Sequence, residues 1–117
     1  MRLRAAKATV EEVAAEIATL NPGVTREALM EYVEGVDPED ASRAKGYVEW
    51  AGKGIAVLPE SIGDLTVDGH LFLQCNRLAT LPASFGDLKV RGAVYLRKNP
   101  VSRSQPRFDG LNVRHGY

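Results

Sequence analysis

Residues 58–80, LPESIGDLTVDGHLFLQCNRLAT, and residues 81–103, LPASFGDLKVRGAVYLRKNPVSR, carry one pattern twice at an offset of 23 residues. Ten of the 23 aligned pairs are identical, among them Leu58/Leu81, Pro59/Pro82, Gly69/Gly92, Leu73/Leu96 and Asn76/Asn99. Most of the others that matter are like for like, including Ile62/Phe85, Leu71/Val94 and Phe72/Tyr95. A period of this length is the mark of stacked structural units, each burying its apolar side against its neighbour. The offset extends in both directions. GYVEWAGKGIAV aligns with GHLFLQCNRLAT, placing Val48 and Trp50 where Leu71 and Leu73 fall, and Phe108, Leu111 and Val113 align with Phe85, Leu88 and Val90. The tail therefore reads as a further repeat that stops before its strand.

The residues before the repeat have a helical period. Thr9 followed by Glu12 is a capping box, and Val10, Val13, Ala14, Ile17 and Leu20 then recur on one helical face. Asn21-Pro22-Gly23 ends that helix. Thr25 caps a second helix whose buried side is Leu29, Met30, Val33 and Val36, and Asp37-Pro38 opens a short third helix through Lys45 that Gly46 stops. The predicted fold class is an α/β repeat: an N-terminal cap of three short helices over residues 1–45, then a short repeat solenoid with a small parallel β-sheet over 46–117. The array divides into a half repeat at 46–57, full repeats at 58–80 and 81–103, and a partial repeat or C-terminal cap at 104–117.

Charge is balanced at 15 basic and 15 acidic residues, so no global field draws in nucleic acid or an anionic membrane. The two halves differ: residues 1–57 hold 7 basic and 10 acidic side chains, a net of −3, and residues 58–117 hold 8 and 5, a net of +3. A single cysteine, Cys75, excludes an internal disulfide and a multi-cysteine metal site, and points to a reducing compartment. Glu11, Glu12 and Glu16 interrupt what would be the apolar core of a signal peptide, and no apolar run approaches a membrane span. The expected location is the cytoplasm, with no membrane association.

LFLQCNRLATLP and VYLRKNPVSRSQP match the pattern L-x-L-x-x-N-x-L through Leu71, Leu73, Asn76 and Leu78, then Val94, Leu96, Asn99 and Val101. Residues 46–113 thus resemble the leucine-rich repeats of short-period bacterial type, in which each unit opens with Leu-Pro. The Leu65-Thr66-Val67-Asp68-Gly69 and Leu88-Lys89-Val90-Arg91-Gly92 segments are similar to those of bacterial and phage variants. The resemblance implies alternating strand residues, with Leu71 and Leu73 in the core and His70, Phe72 and Gln74 on a concave face. Asn76 and Asn99 would bond backbone groups where each strand turns away, forming a ladder, and Lys53 interrupts that ladder in the half repeat because it offers no acceptor. Gly69 and Gly92 are assigned to tight turns and Cys75 to a small, partly buried place beside the ladder.

Three columns line the expected concave face: Tyr47, His70, Ala93; Glu49, Phe72, Tyr95; and Ala51, Gln74, Arg97. Aromatic side chains with arginine at the centre of a surface are the composition of protein-binding hot spots. The candidate partner-binding residues are therefore Tyr47, Glu49, His70, Phe72, Gln74, Tyr95 and Arg97. The plainer alternative is that the aromatic pair only stabilises the sheet. No catalytic constellation is visible, since His70 and Cys75 are five strand positions apart, and no cofactor or metal is expected. A non-catalytic protein-interaction module follows, in its most specific form a small phage or bacterial inhibitor that occupies a host protein's surface. Two alternatives stand beside it. One is a scaffold acting by self-association, as a homodimer through the C-terminal edge. The other is nucleic-acid binding by Lys89, Arg91, Arg97, Lys98, Arg103, Arg107 and Arg114. The helices argue against the latter, because Glu27, Glu31 and Glu34 outnumber Arg26 on what would be a recognition helix.

Overall fold

Thr9 accepts from the Glu12 backbone N–H while the Glu12 carboxylate accepts from Thr9 N–H, and this reciprocal cap starts α1, Val10–Leu20. In the computed structural model, which describes residues 7–116, α1 buries Val10, Val13, Ala14 and Ile17 completely. Leu20, expected on that stripe, is 45% exposed, because the chain leaves the helix at Asn21 before another turn can cover it.

The expected second and third helices are corrected. Thr25 does cap a helix, but α2 is only Arg26–Met30. The two valines beyond it form antiparallel bridges instead, Val33 with Val48 and Val36 with Ala44. Gly35 turns the chain between them at φ +74°. Val36 is 38% exposed rather than buried. No helix forms over 38–45. Asp37 accepts from Glu39 N–H, and Asp40 accepts from both the N–H and the hydroxyl of Ser42, so these short polar side chains close turns rather than cap a helix. The Ser42 hydroxyl bond, foremost, then its N–H hold the Asp40 carboxyl below the usual carboxylate range. The chain then enters β1, Arg43–Ala44.

Two parallel sheets follow. The smaller one orders β1, β3 (Thr66–Val67) and β5 (Lys89–Val90), with Ala44 opposite Val67 and Val67 opposite Val90. Arg43 and Asp68 tie its first two strands through an ion pair of 2.8 Å, whose hydrogen bond and then charge raise the guanidinium pKa above its usual range. The larger sheet orders β2 (Val48–Glu49), β4 (Leu71–Phe72), β6 (Ala93–Tyr95) and β7 (Asn112–Arg114). Its first two steps keep the 23-residue offset, Val48 to Leu71 to Val94. Turns of 3-10 helix at Glu60–Asp64 and Ala83–Asp87 pack on each other on the far side.

The expectation of a three-helix cap followed by a solenoid does not hold. The described residues form a small, compact α/β domain with two α-helices and two parallel sheets, 37 × 33 × 31 Å in extent with a radius of gyration of 13.2 Å. Its core is one continuous cluster: α1's Val10, Val13 and Ile17 belong with Trp50, Leu71, Leu73 and Leu96. The reason is size. Two full copies bury too little apolar surface between themselves to make a free-standing array, so the helical stripe completes the same core.

The tail is corrected too. It forms a strand, and Val113 pairs with Val94 rather than taking the place of Val90, a step of 19 residues. Phe108 keeps the 23-residue place, with its ring 5.2 Å from Phe85. The shortened last coil skips the small sheet and passes directly into the large one, covering β6. Its end is fastened: His115 Nε2 donates to Pro106 O at 2.7 Å and Nδ1 lies 2.8 Å from Ser102 Oγ.

Gly69 and Gly92 lie in bends just before β4 and β6, and what requires glycine there is close packing between backbones. Neither has a positive φ. A Cβ on Gly69 would lie 2.7 Å from Gly46 O, and one on Gly92 would lie 2.7 Å from Gly69 O and 2.5 Å from His70 Nδ1. Successive coils touch backbone to backbone here, with Gly69 N–H donating to Gly46 O and Gly92 N–H to Gly69 O. Gly69→Ala is therefore expected to cost about 1–3 kcal/mol from overpacking. For a chain of this size each kcal/mol moves the melting midpoint by roughly 4 °C. A thermal melt that leaves the Gly69→Ala midpoint at the wild-type value would sink this account.

Candidate functional site

Alternation along the strands turns Val48, Leu71 and Val94 inward and leaves Glu49, Phe72 and Tyr95 on the outward face of the large sheet. The register sets Glu49 beside Phe72, Phe72 beside Tyr95, and Tyr95 beside Arg114. Phe72 and Tyr95 stack at 5.0 Å between centroids and 9° between planes. His70 completes the cluster, 5.7 Å from each ring, and its Nδ1 accepts from Ala93 N–H at 2.9 Å. A cleft of about 410 Å³ opens beside this stack, lined by Phe72, Gln74, Tyr95, Arg97, Arg114 and Gly116.

The structure brings all seven candidate residues, Tyr47, Glu49, His70, Phe72, Gln74, Tyr95 and Arg97, to strands β2, β4 and β6 or to within two residues of them. It adds three that the sequence reading missed. Arg114, named only in the alternative cationic set, was not placed on this face because the tail was not expected to form a strand. Tyr32 and Glu34 were hidden by the helix assigned to them. Glu34 N–H donates to Tyr47 O and Glu49 N–H to Tyr32 O, so this segment runs antiparallel along the outer side of β2. Two β-branched valines spaced around Gly35 were the available signal. Lys53, read only as a break in the asparagine ladder, sets its ammonium 3.9 Å over the Tyr32 ring.

The charges of the face are largely sorted, with the Lys53 ammonium over Tyr32 a cation at its acidic end. Glu34 and Glu49 stand at the β2 end and Arg97 and Arg114 at the β6–β7 end. Glu49 accepts from Ala51 N–H at 3.1 Å and Arg114 Nε donates to Asn112 Oδ1 at 3.1 Å. None of Glu49, Arg97 and Arg114 has an ion-pair partner among the described residues. The Gln74 amide oxygen is buried with no donor among the described residues.

Behind the face, Asn76 Oδ1 accepts from Lys53 and Ile55 N–H while its Nδ2 donates to Trp50 O and Leu73 O. Asn99 repeats this with Leu78 N–H, Leu73 O and Leu96 O. A third buried asparagine, Asn21, bonds Ala56 and Val57 N–H and Val57 O. It ends α1 and also holds the first coil, a use its place before proline concealed. Cys75 is exposed, not partly buried, and takes a left-handed φ of 61°, as Lys98 does at 60° one repeat later and Gly52 at 65° one repeat earlier.

A larger groove of about 790 Å³ lies by the 3-10 turns and small sheet. Its lining mixes Lys7, Lys89 and Arg91 with Glu60, Asp64 and Asp87, without an aromatic group, so it has no anchor and no single charge preference. Among the described residues no group of three or more His, Cys, Asp or Glu is placed to hold a metal, and no helix is long and apolar enough to cross a membrane. Comparison with protein-family models, with curated proteins and with solved structures finds no match.

Proposed function

We propose that this protein is a non-catalytic interaction module that binds a partner protein through the outward face of its large sheet. The observation that carries the reading is the Phe72–Tyr95 stack, half-buried at the centre of that face and bordered by Arg97 and Arg114. Rigid aromatic side chains have little rotamer freedom left to lose on binding, and arginine supplies directional donors around them. The resemblance of the strand–asparagine segments to leucine-rich repeats, which usually bind through the strand face, supports the same reading. Such a face would act by occupying a surface, as an inhibitor does, and the single cysteine fits a cytoplasmic setting.

Phe72→Ala combined with Tyr95→Ala tests it. In affinity capture from bacterial lysate, the double variant is expected to lose the wild-type partners by at least roughly 30-fold in affinity, a loss of about 2 kcal/mol or more. Its far-UV circular dichroism should remain that of the wild type. A folded double variant that keeps every partner would mean that the aromatic pair only stabilises the sheet.

A further inference from the structure

The outward face is complementary to itself, and we propose that the partner it fits is a second copy of this chain, docked face to face about a twofold axis. The inference rests on the reading that this face binds protein. Consider an axis parallel to the strands and midway between β4 and β6. It sets Phe72 over the partner's Tyr95, and Tyr95 over the partner's Phe72, so the aromatic stacks of the two copies meet at the centre. The same rotation carries the β7 end of one copy over the β2 end of the other. Arg114 then meets the partner's Glu49, twice by symmetry, and neither group has an ion-pair partner within its own chain among the described residues.

The row beyond Phe72 and Tyr95 agrees with this placement: Arg97 falls over the partner's Gln74. The amide oxygen of Gln74 has no donor in the single chain, so turning it toward a guanidinium breaks no existing bond at that oxygen. An isologous interface requires that each contact between two positions also occur with the copies exchanged. The acidic end, aromatic centre and basic end meet that requirement in order. The opposite charges of the chain's two halves and its net charge of zero remove the long-range repulsion that would oppose pairing.

A single acidic or basic segment of another protein suits this face less well, because it would satisfy one end and oppose the other. Nucleic acid needs a continuous cationic track, which Glu34 and Glu49 interrupt. Three strand spacings, about 14 Å, separate Glu49 from Arg114, so the patch lies at the small end of protein interfaces and the dimer should be weak and concentration-dependent.

Sedimentation velocity across roughly 5–500 µM, the region where small interfaces associate, tests the proposal with charge reversal. The wild type is expected to move from 12.7 kDa toward twice that mass as concentration rises. Arg114→Glu and Glu49→Arg should each remain monomeric over the same range, since each places like charges together twice. An equimolar mixture of the two should recover association, because both contacts then pair opposite charges. Arg114 is exposed and gives up a bond to the exposed Asn112, so Arg114→Glu is expected to stay folded, which circular dichroism checks, and its loss of association carries the test even if Glu49→Arg, which gives up the bond to Ala51 N–H, melts early. A wild type monomeric throughout overturns the proposal, and so does a mixture of folded variants that fails to associate. Association that survives Glu49→Arg but not Arg114→Glu also overturns it, by moving the contact to the β7 edge. If the wild type stays monomeric yet captures another protein through Phe72 and Tyr95, only the identity of the partner fails. Insensitivity of every association to those two residues would remove the face reading itself.

Discussion

Replacing Asn76 with alanine is expected to lower the melting midpoint by about 12–20 °C, the equivalent of about 3–5 kcal/mol, while the same change at Asn99 should cost only about 1–2 kcal/mol. Both asparagines are nearly inaccessible, 6% and 2% exposed, and they occupy identical places in the two repeats. The difference lies in what each leaves behind. Loss of Asn76 strands two N–H groups, those of Lys53 and Ile55, together with the Trp50 carbonyl; the Leu73 carbonyl still receives Asn99 Nδ2 at 2.8 Å. Loss of Asn99 strands the Leu78 N–H alone. Leu96 O retains the Ser102 hydroxyl at 2.6 Å, and Leu73 O retains Asn76. Buried groups left without a partner cost about 1–3 kcal/mol each before relaxation, which sets the ranking. Asn76→Asp offers a chemical control. Its carboxylate would face the Trp50 and Leu73 carbonyls, so its folded-state pKa should be raised above the unfolded value near 4. Stability would then fall as pH rises through that unfolded value and be regained in acid. Thermal melts of the three variants check the set, and an Asn99→Ala variant weaker than Asn76→Ala would refute the accounting.

Trp50→Ala should be as damaging as the loss of Asn76, at about 3–5 kcal/mol for the cavity. A domain of this kind has about 5–15 kcal/mol of total stability, so the variant should be partly unfolded at ordinary temperatures. Trp50 is fully buried, and its indole Nε1 donates to Leu29 O at 2.9 Å, linking the second helix to the strands. Because the core is continuous, loosening this residue should loosen helices and sheets together. Trp50→Phe keeps most of the volume but abandons the Leu29 carbonyl, and is expected to cost about 1–3 kcal/mol. Chemical denaturation followed by circular dichroism and by tyrosine fluorescence distinguishes the outcomes. A Trp50→Ala protein in which helical signal melts normally while the sheet is lost would show that the two regions are held separately.

The face that carries the proposed function was readable in part because strand alternation is a local rule. Leu71 and Leu73 with His70 and Phe72 between and beside them assign sides without reference to anything distant, and the 23-residue offset then places Phe72 next to Tyr95. Arg114, Tyr32 and Glu34 escaped for the opposite reason. Their positions depend on pairing with segments far along the chain, and local signals there were misleading: a helix period continuing past Met30, and a tail whose alignment with residues 85–90 pointed to the small sheet.

The sequence by itself determined the repeat and its register, the cap of the first helix, the inward leucines and the asparagines that bond the turns. These are set by side-chain chemistry acting over a few residues, or by a spacing that recurs. Only the tertiary structure decided that residues 31–36 pair with strands, that 38–45 turns into β1, that the tail shortens its coil by four residues to cover β6, and that helices and sheets share one core. Two copies cannot bury enough apolar surface alone, and unpaired backbone at the sheet's sides must find partners. The segments with the weakest local preference supplied both, and in doing so brought opposite charges to opposite ends of one face.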